Sequence, residues 1–143
     1  MLVALASQST SDAVIHYEAA CVHDFLGFEA QAVPFYVKAL EGELPAPIRR
    51  SAYTGLGSTY RTLGMYQQAQ EILVQGLAEF PEANEIQVFL AMAHHNLGQS
   101  KSAVESLLRL VAGTSADPQI KSYARAIEFY AQDIDRSWPS GAA

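Results

Sequence analysis

Cysteine is almost missing from this chain: one residue of 143, Cys21, carries a thiol. No internal disulfide can form, which suits a reducing compartment, and a cytoplasmic setting is the expectation. Basic residues are scarce as well. Nine Lys and Arg stand against fifteen Asp and Glu, for a net charge of −6. A nucleic-acid binder needs a basic face, so no nucleic-acid partner is expected. Long apolar runs are absent, and with them any expected membrane span. The opening Met1-Leu2-Val3-Ala4-Leu5-Ala6-Ser7 is apolar but short, and it lacks the basic start of a signal peptide. Period-two alternation with β-branched residues occurs nowhere, so no strand is expected.

The motifs of catalysis and ligand capture are missing too. There is no His-x-x-x-His, no Cys-x-x-Cys and no Gly-x-x-x-x-Gly-Lys phosphate loop. Gly55-Leu56-Gly57 would need its third glycine where Tyr60 stands, and no strand precedes it. His94 and His95 are adjacent, so on a helix they point about 100° apart and cannot share a metal. His16 and His23 can share a face, but they fall at positions that suit core residues. Cys21 and His23, two apart, face different ways on a helix. Seven tyrosines and six phenylalanines could stack on bases. Most occupy core positions (Tyr36, Tyr53, Tyr60), and basic residues do not interleave them. No cofactor, no metal and no enzymatic activity are expected.

What is present is a repeated frame. It runs Tyr53-x-x-Leu56-Gly57-x-x-Tyr60-x-x-x-Gly64-x-Tyr66-x-x-Ala69-x-x-x-Leu73-x-x-Gly76-x-x-x-x-Pro81. Gly57, Gly64 and Ala69 return 34 residues later as Ala91, Gly98 and Ala103. An earlier copy holds Ala19, Ala20, His23, Gly27, Ala32, Tyr36 and Ala39. It lies 37 residues before the middle one from Ala32 to Ala69, so the Gly42–Pro47 loop carries the extra residues. A period near 34 with a helix-turn-helix in each unit resembles tetratricopeptide repeats. Asp24-Phe25-Leu26-Gly27, Ser58 to Gly64 and Phe89 to Gly98 resemble, more narrowly, a small bacterial family of such proteins of unknown biological role, for which dimers are an expectation.

The expected fold is all-α: a right-handed superhelix of about three helix-turn-helix units, near 13–46, 50–83 and 84–117, plus a capping helix near 118–133. They form one domain, 12–134, between an N-terminal segment 1–11 and a loose tail 135–143. About seven helices are expected, near 12–26, 29–41, 48–63, 66–79, 83–97, 100–111 and 118–133. Ser11 would cap the first, and Asp117-Pro118 reads as N-cap and N1 of the last.

The resemblance implies a non-enzymatic scaffold that binds a protein or peptide segment along the wall made by the first helix of each unit. Candidate groove residues are Tyr17, Cys21, Asp24 and Phe25; Thr54, Ser58, Arg61 and Thr62; and Val88, Met92, His95 and Asn96. Asp24, Arg61 and His95 share one frame position and should form a line. Two readings of that line stay open: Asp24 pairs with Arg61 to fix the stacking, or Arg61 with His95 holds a partner's carboxylate. The lysine and asparagine of a chaperone-tail carboxylate clamp are replaced here by residues such as Tyr17, Cys21 and Ser58, which argues against that ligand. Rival expectations are a homodimer joined through Leu2-Val3-Ala4-Leu5 and Trp138, or a piece of a larger regulator.

Overall fold

The computed structural model describes residues 2–139, with side chains from residue 10 onward. Among the described residues eight helices follow one another: α1 Leu2–Phe25, α2 Glu29–Glu41, α3 Ala46–Thr62, α4 Tyr66–Glu79, α5 Asn84–Asn96, α6 Ser100–Thr114, α7 Pro118–Ser122 and α8 Ala124–Tyr130. Among the described residues no strand occurs.

The glycine turns set the hairpins. Gly27, Gly64 and Gly98 adopt φ of 82°, 77° and 80°, a region that side chains with a Cβ seldom enter. Each closes the same pair of bonds. At the middle turn Gly64 N donates to Arg61 O (3.0 Å) and Met65 N to Tyr60 O (2.9 Å). That pattern satisfies the last carbonyls of a helix and reverses the chain at once. The resulting pairs, α1 with α2, α3 with α4 and α5 with α6, then stack: α3 lies on α1 and α2, and α5 on α3 and α4.

Stacking is close because side chains are missing where helices cross. A Cβ on Gly57 would sit inside the Leu73 side chain, and one on Gly76 would lie 2.9 Å from Tyr53 Cβ. Two cores result. Ala20, Ala32, Tyr36, Ala52 and Leu56 knit the first pair to α3. Tyr53, Leu73, Ala83 and Ile86 knit the second pair to α5.

Two expectations about helix limits need correction. The first helix does not begin at Asp12, and Ser11 does not cap it: α1 already runs from Leu2, with Ser11 inside it. Neither Gly nor Pro occurs before Gly27, and Ser, Thr and Asp weaken a helix interior only modestly. The last helix is not continuous over 118–133. Asp117 does cap it, accepting from Gln119 N and Ile120 N, with Pro118 in its first turn. The chain then tightens at Tyr123, whose N–H donates to Ile120 O (3.0 Å), and α8 begins anew. Neither α7 nor α8 holds a fully buried residue, and α6 is the one other helix each lies against.

Gly57→Ala should destabilise the protein by about 1–3 kcal/mol, because Leu73 must move. Gly113→Ala, in an α6 position with open space around it, should be neutral or stabilising by up to about 1 kcal/mol. Urea denaturation of both variants checks the contrast.

Candidate functional site

The first helices α1, α3 and α5 lie side by side, so their outward positions form one wall. At its N-terminal end stand Tyr17, Cys21 and Asp24. The Tyr17 ring meets Tyr36 edge-on at 6.3 Å, and Cys21 beside Tyr17 is half-buried. Burial raises the Tyr36 hydroxyl well above its ordinary pKa, and the Asp24 carboxylate beside it adds to the effect. Burial also raises Tyr17, with Cys21 contributing. Tyr36 therefore stays protonated and acts here as a hydrogen-bond donor to Asp24. Phe25, at the end of α1, is 88% exposed.

Asp24 does not pair with Arg61. Its Oδ2 accepts from Tyr36 OH (2.9 Å) and from Thr59 Oγ1 (3.1 Å). The stacking turns this carboxylate toward two buried hydroxyls, and so the expected acid–guanidinium line is broken. Arg61 reaches the other way: its Nε donates to Asn96 Oδ1 at 2.7 Å. Among the described residues it meets no carboxylate. His95 Nδ1 pairs with Ser100 Oγ at 2.9 Å. Of the remaining candidates, Thr54 and Thr62 donate to their own helix, at Arg50 O (3.3 Å) and Ser58 O (3.0 Å). Ser58 and Val88 are half-buried.

Three of the candidates converge. Arg61, Met92 and His95 line an open cleft of about 240 Å³, together with Ala91 from α5 and Ala103, Val104 and Leu107 from α6. The sequence reading drew its candidates from first helices alone and missed the α6 contribution. Val104 and Leu107 lie three apart on one helix face, and that spacing is the signal that could have found them.

Two other arginines were also missed. Arg49 bonds Glu79 (2.8 Å) and Leu40 O (3.0 Å), tying α3 to both neighbouring helices. Arg50 forms a fork with Glu85, its Nη2 lying 2.8 Å from Oε2, and reaches Glu82 at 3.4 Å. The hydrogen bond from Arg50 holds the Glu85 carboxyl below the usual range. Arg50 to Glu85 and Arg61 to Asn96 both span 35 residues, one more than the repeat. These bonds join consecutive first helices.

His16 and His23 both pack on Phe35, at 6.3 Å and 4.9 Å between ring centres. His23 Nδ1 bonds Ala19 O at 2.7 Å. Trp138 folds back on Phe129 (5.4 Å) beneath the Arg136 guanidinium (3.8 Å), though it stays half exposed. The side chains of Leu2 to Leu5 lie outside the described residues.

Stacked antiparallel helix pairs with an exposed first-helix wall define a helical-repeat scaffold. The model of one such family, the tetratrico peptide repeat, matches residues 13–134, and the chain belongs to that family. Among curated proteins no match is found. Proteins of this family typically serve as non-enzymatic interaction modules. No helix among the described residues is long and apolar enough to cross a membrane.

His94 occupies the position of Tyr60 one repeat on, and its Nδ1 is buried with no partner among the described residues. Burial lowers its pKa from the ordinary 6.5. The folded state thus favours the neutral ring, and the unfolded chain takes up the proton first. Stability from this site is complete above pH 6.5 and declines as pH falls through 6.5 toward the lower folded value. The melting temperature should drop over that window, and His94→Phe should flatten the slope.

Proposed function

We propose that this protein is a non-enzymatic cytoplasmic scaffold that holds a segment of another protein along the wall of α1, α3 and α5. The observation that carries the reading is Arg61. Its neighbours Arg49 and Arg50 are neutralised by carboxylates. Arg61 instead stands at the rim of an apolar cleft, and among the described residues only its Nε is engaged. A guanidinium whose Nη groups meet no partner among the described residues, beside apolar lining, suits a ligand that brings both a carboxylate and aliphatic surface. Met92 and His95 complete the contact. Tyr17, Cys21, Asp24, Ser58, Thr54, Thr62, Val88 and Asn96 shape the rest of the path. The partner is a protein or peptide; nucleic acid, membrane, metal and cofactor have no part in this reading.

A second reading has its own support. Tyr123, Phe129, Tyr130 and Trp138 are each at least half exposed and lie within one short stretch of chain. Aromatic side chains gathered in this way suit a self-associating surface, so a homodimer whose groove stays empty is the alternative.

Affinity capture from the native host's lysate, with wild type and Arg61→Glu compared by mass spectrometry, tests the first reading. A partner retained by wild type and lost by a folded Arg61→Glu is the expected result. Identical capture by both proteins, or capture of this chain alone, would pass the lead to self-association. Arg61→Ala should weaken binding of the captured partner about tenfold while the melting temperature barely moves.

A further inference from the structure

Each stacked pair in this molecule receives the first helix of the next unit, except the last pair. α3 lies on α1 and α2, and α5 lies on α3 and α4, but α7 and α8 approach α6 alone and come near no part of α5. The exposure of equivalent residues records the difference. Tyr36, Leu73 and Leu107 share one frame position. The first two are 3% and 0% exposed, whereas Leu107 is 37% exposed. One turn further, Leu77 packs against the core around Tyr53, while its equivalent Val111 is 42% exposed.

The terminal helix has gone elsewhere. On α4, Gln67, Glu71, Gln75 and Ala78 face solvent. Their equivalents on α6 hold the chain after α8. Lys101 Nζ meets Asp133 at 2.8 Å, Glu105 accepts from Ile134 N at 3.0 Å, Arg109 donates to Ala131 O at 3.1 Å, and Ala112 is buried. The C-terminal segment thus covers the outer side of α6 and leaves the inner side open. That open side is the cleft floored by Ala91, Met92, Val104 and Leu107, with Arg61 and His95 at its rim.

Polar hand-offs between first helices stop at the same place. Asp24 on α1 accepts from Thr59 on α3, and Arg61 on α3 donates to Asn96 on α5. His95, at the equivalent position on α5, bonds among the described residues only Ser100 of its own unit.

We propose that the cleft between α5 and α6 is a docking slot for one amphipathic helix of a partner protein, bearing a carboxylate that faces Arg61 and His95. The occupant is a helix because the corresponding surfaces of the two preceding pairs each hold one. It is apolar on one face because the floor is aliphatic, and it is anionic at one register because the rim is a guanidinium and an imidazole. This assignment rests on the scaffold reading above and places the contact at the end of the array.

The test uses the whole protein and a displayed library of helical peptides of about 16 residues, a little over four turns. The apolar face is varied among aliphatic residues and the opposite face is fully randomised. Enriched peptides should carry Asp or Glu at one fixed register to the apolar stripe. By fluorescence anisotropy, a synthetic winner should lose about tenfold or more in affinity on Val104→Glu and on Arg61→Glu. Exchanging the peptide's acid for Arg should restore binding to Arg61→Glu. Both substitutions fall on partly exposed positions, and unchanged melting curves confirm the fold of each variant. Recovery of no binder, or of binders without an acidic register, overturns the slot. Binding that ignores Val104→Glu but is lost on Ser58→Arg also overturns it, while leaving the scaffold reading intact. A dimer in sedimentation that Leu107→Glu converts to monomer would assign the slot to a second copy and overturn the partner helix.

Discussion

Helices can share a surface at close range only where one of them gives up its side chain. Here that surrender falls at Gly55, Gly57 and Gly76, where an added Cβ would collide with Tyr36, Leu73 and Tyr53. Every other relation in the molecule depends on those crossings. Gly55 sets how far α3 sinks onto α2, and Gly57 and Gly76 set how closely α3 and α4 pair. Consecutive first helices are joined at one span of 35 residues: Thr59 to Asp24, Arg50 to Glu85 and Arg61 to Asn96. The ion pairs among them are partly exposed and add little stability on their own. Their contribution is to register.

Much of this fold was legible in the sequence, and the parts that were not have physical reasons. Gly27, Gly64 and Gly98 announced the turns because left-handed backbone nearly requires glycine. Ala32, Ala69 and Ala103 announced the crossings because close packing requires small residues. Asp117-Pro118 announced a helix start. The early beginning of α1 was hidden because Ser9, Thr10, Ser11 and Asp12 are equally at home in a cap and in a long helix. The break at Tyr123 was hidden because periodicity cannot report it.

The candidate site was legible only as a wall. Frame positions put Arg61, Met92 and His95 among the wall candidates, and the three line one cleft. They could not say which way each side chain turns, since that depends on the stacking angle between units. Asp24 illustrates the point. It occupies the same frame position as Arg61, yet it accepts from Tyr36 and Thr59 and does not meet Arg61. The α6 half of the cleft was overlooked for a different reason. Leu107 stands where Leu73 is core one repeat earlier, and it would be core if another first helix lay on it.

The asymmetry of the two ends bears on cooperativity. Each helix pair is braced only by its immediate neighbours, so the stability of any segment is a local sum. α3 and α4 are braced from both sides, whereas α7 and α8 hold no fully buried residue and lean on α6 alone. Local opening therefore has a preferred direction of travel, from the C-terminal end inward, and the middle unit is the last to yield its amides to solvent. The molecule behaves as a zipper with one loose end.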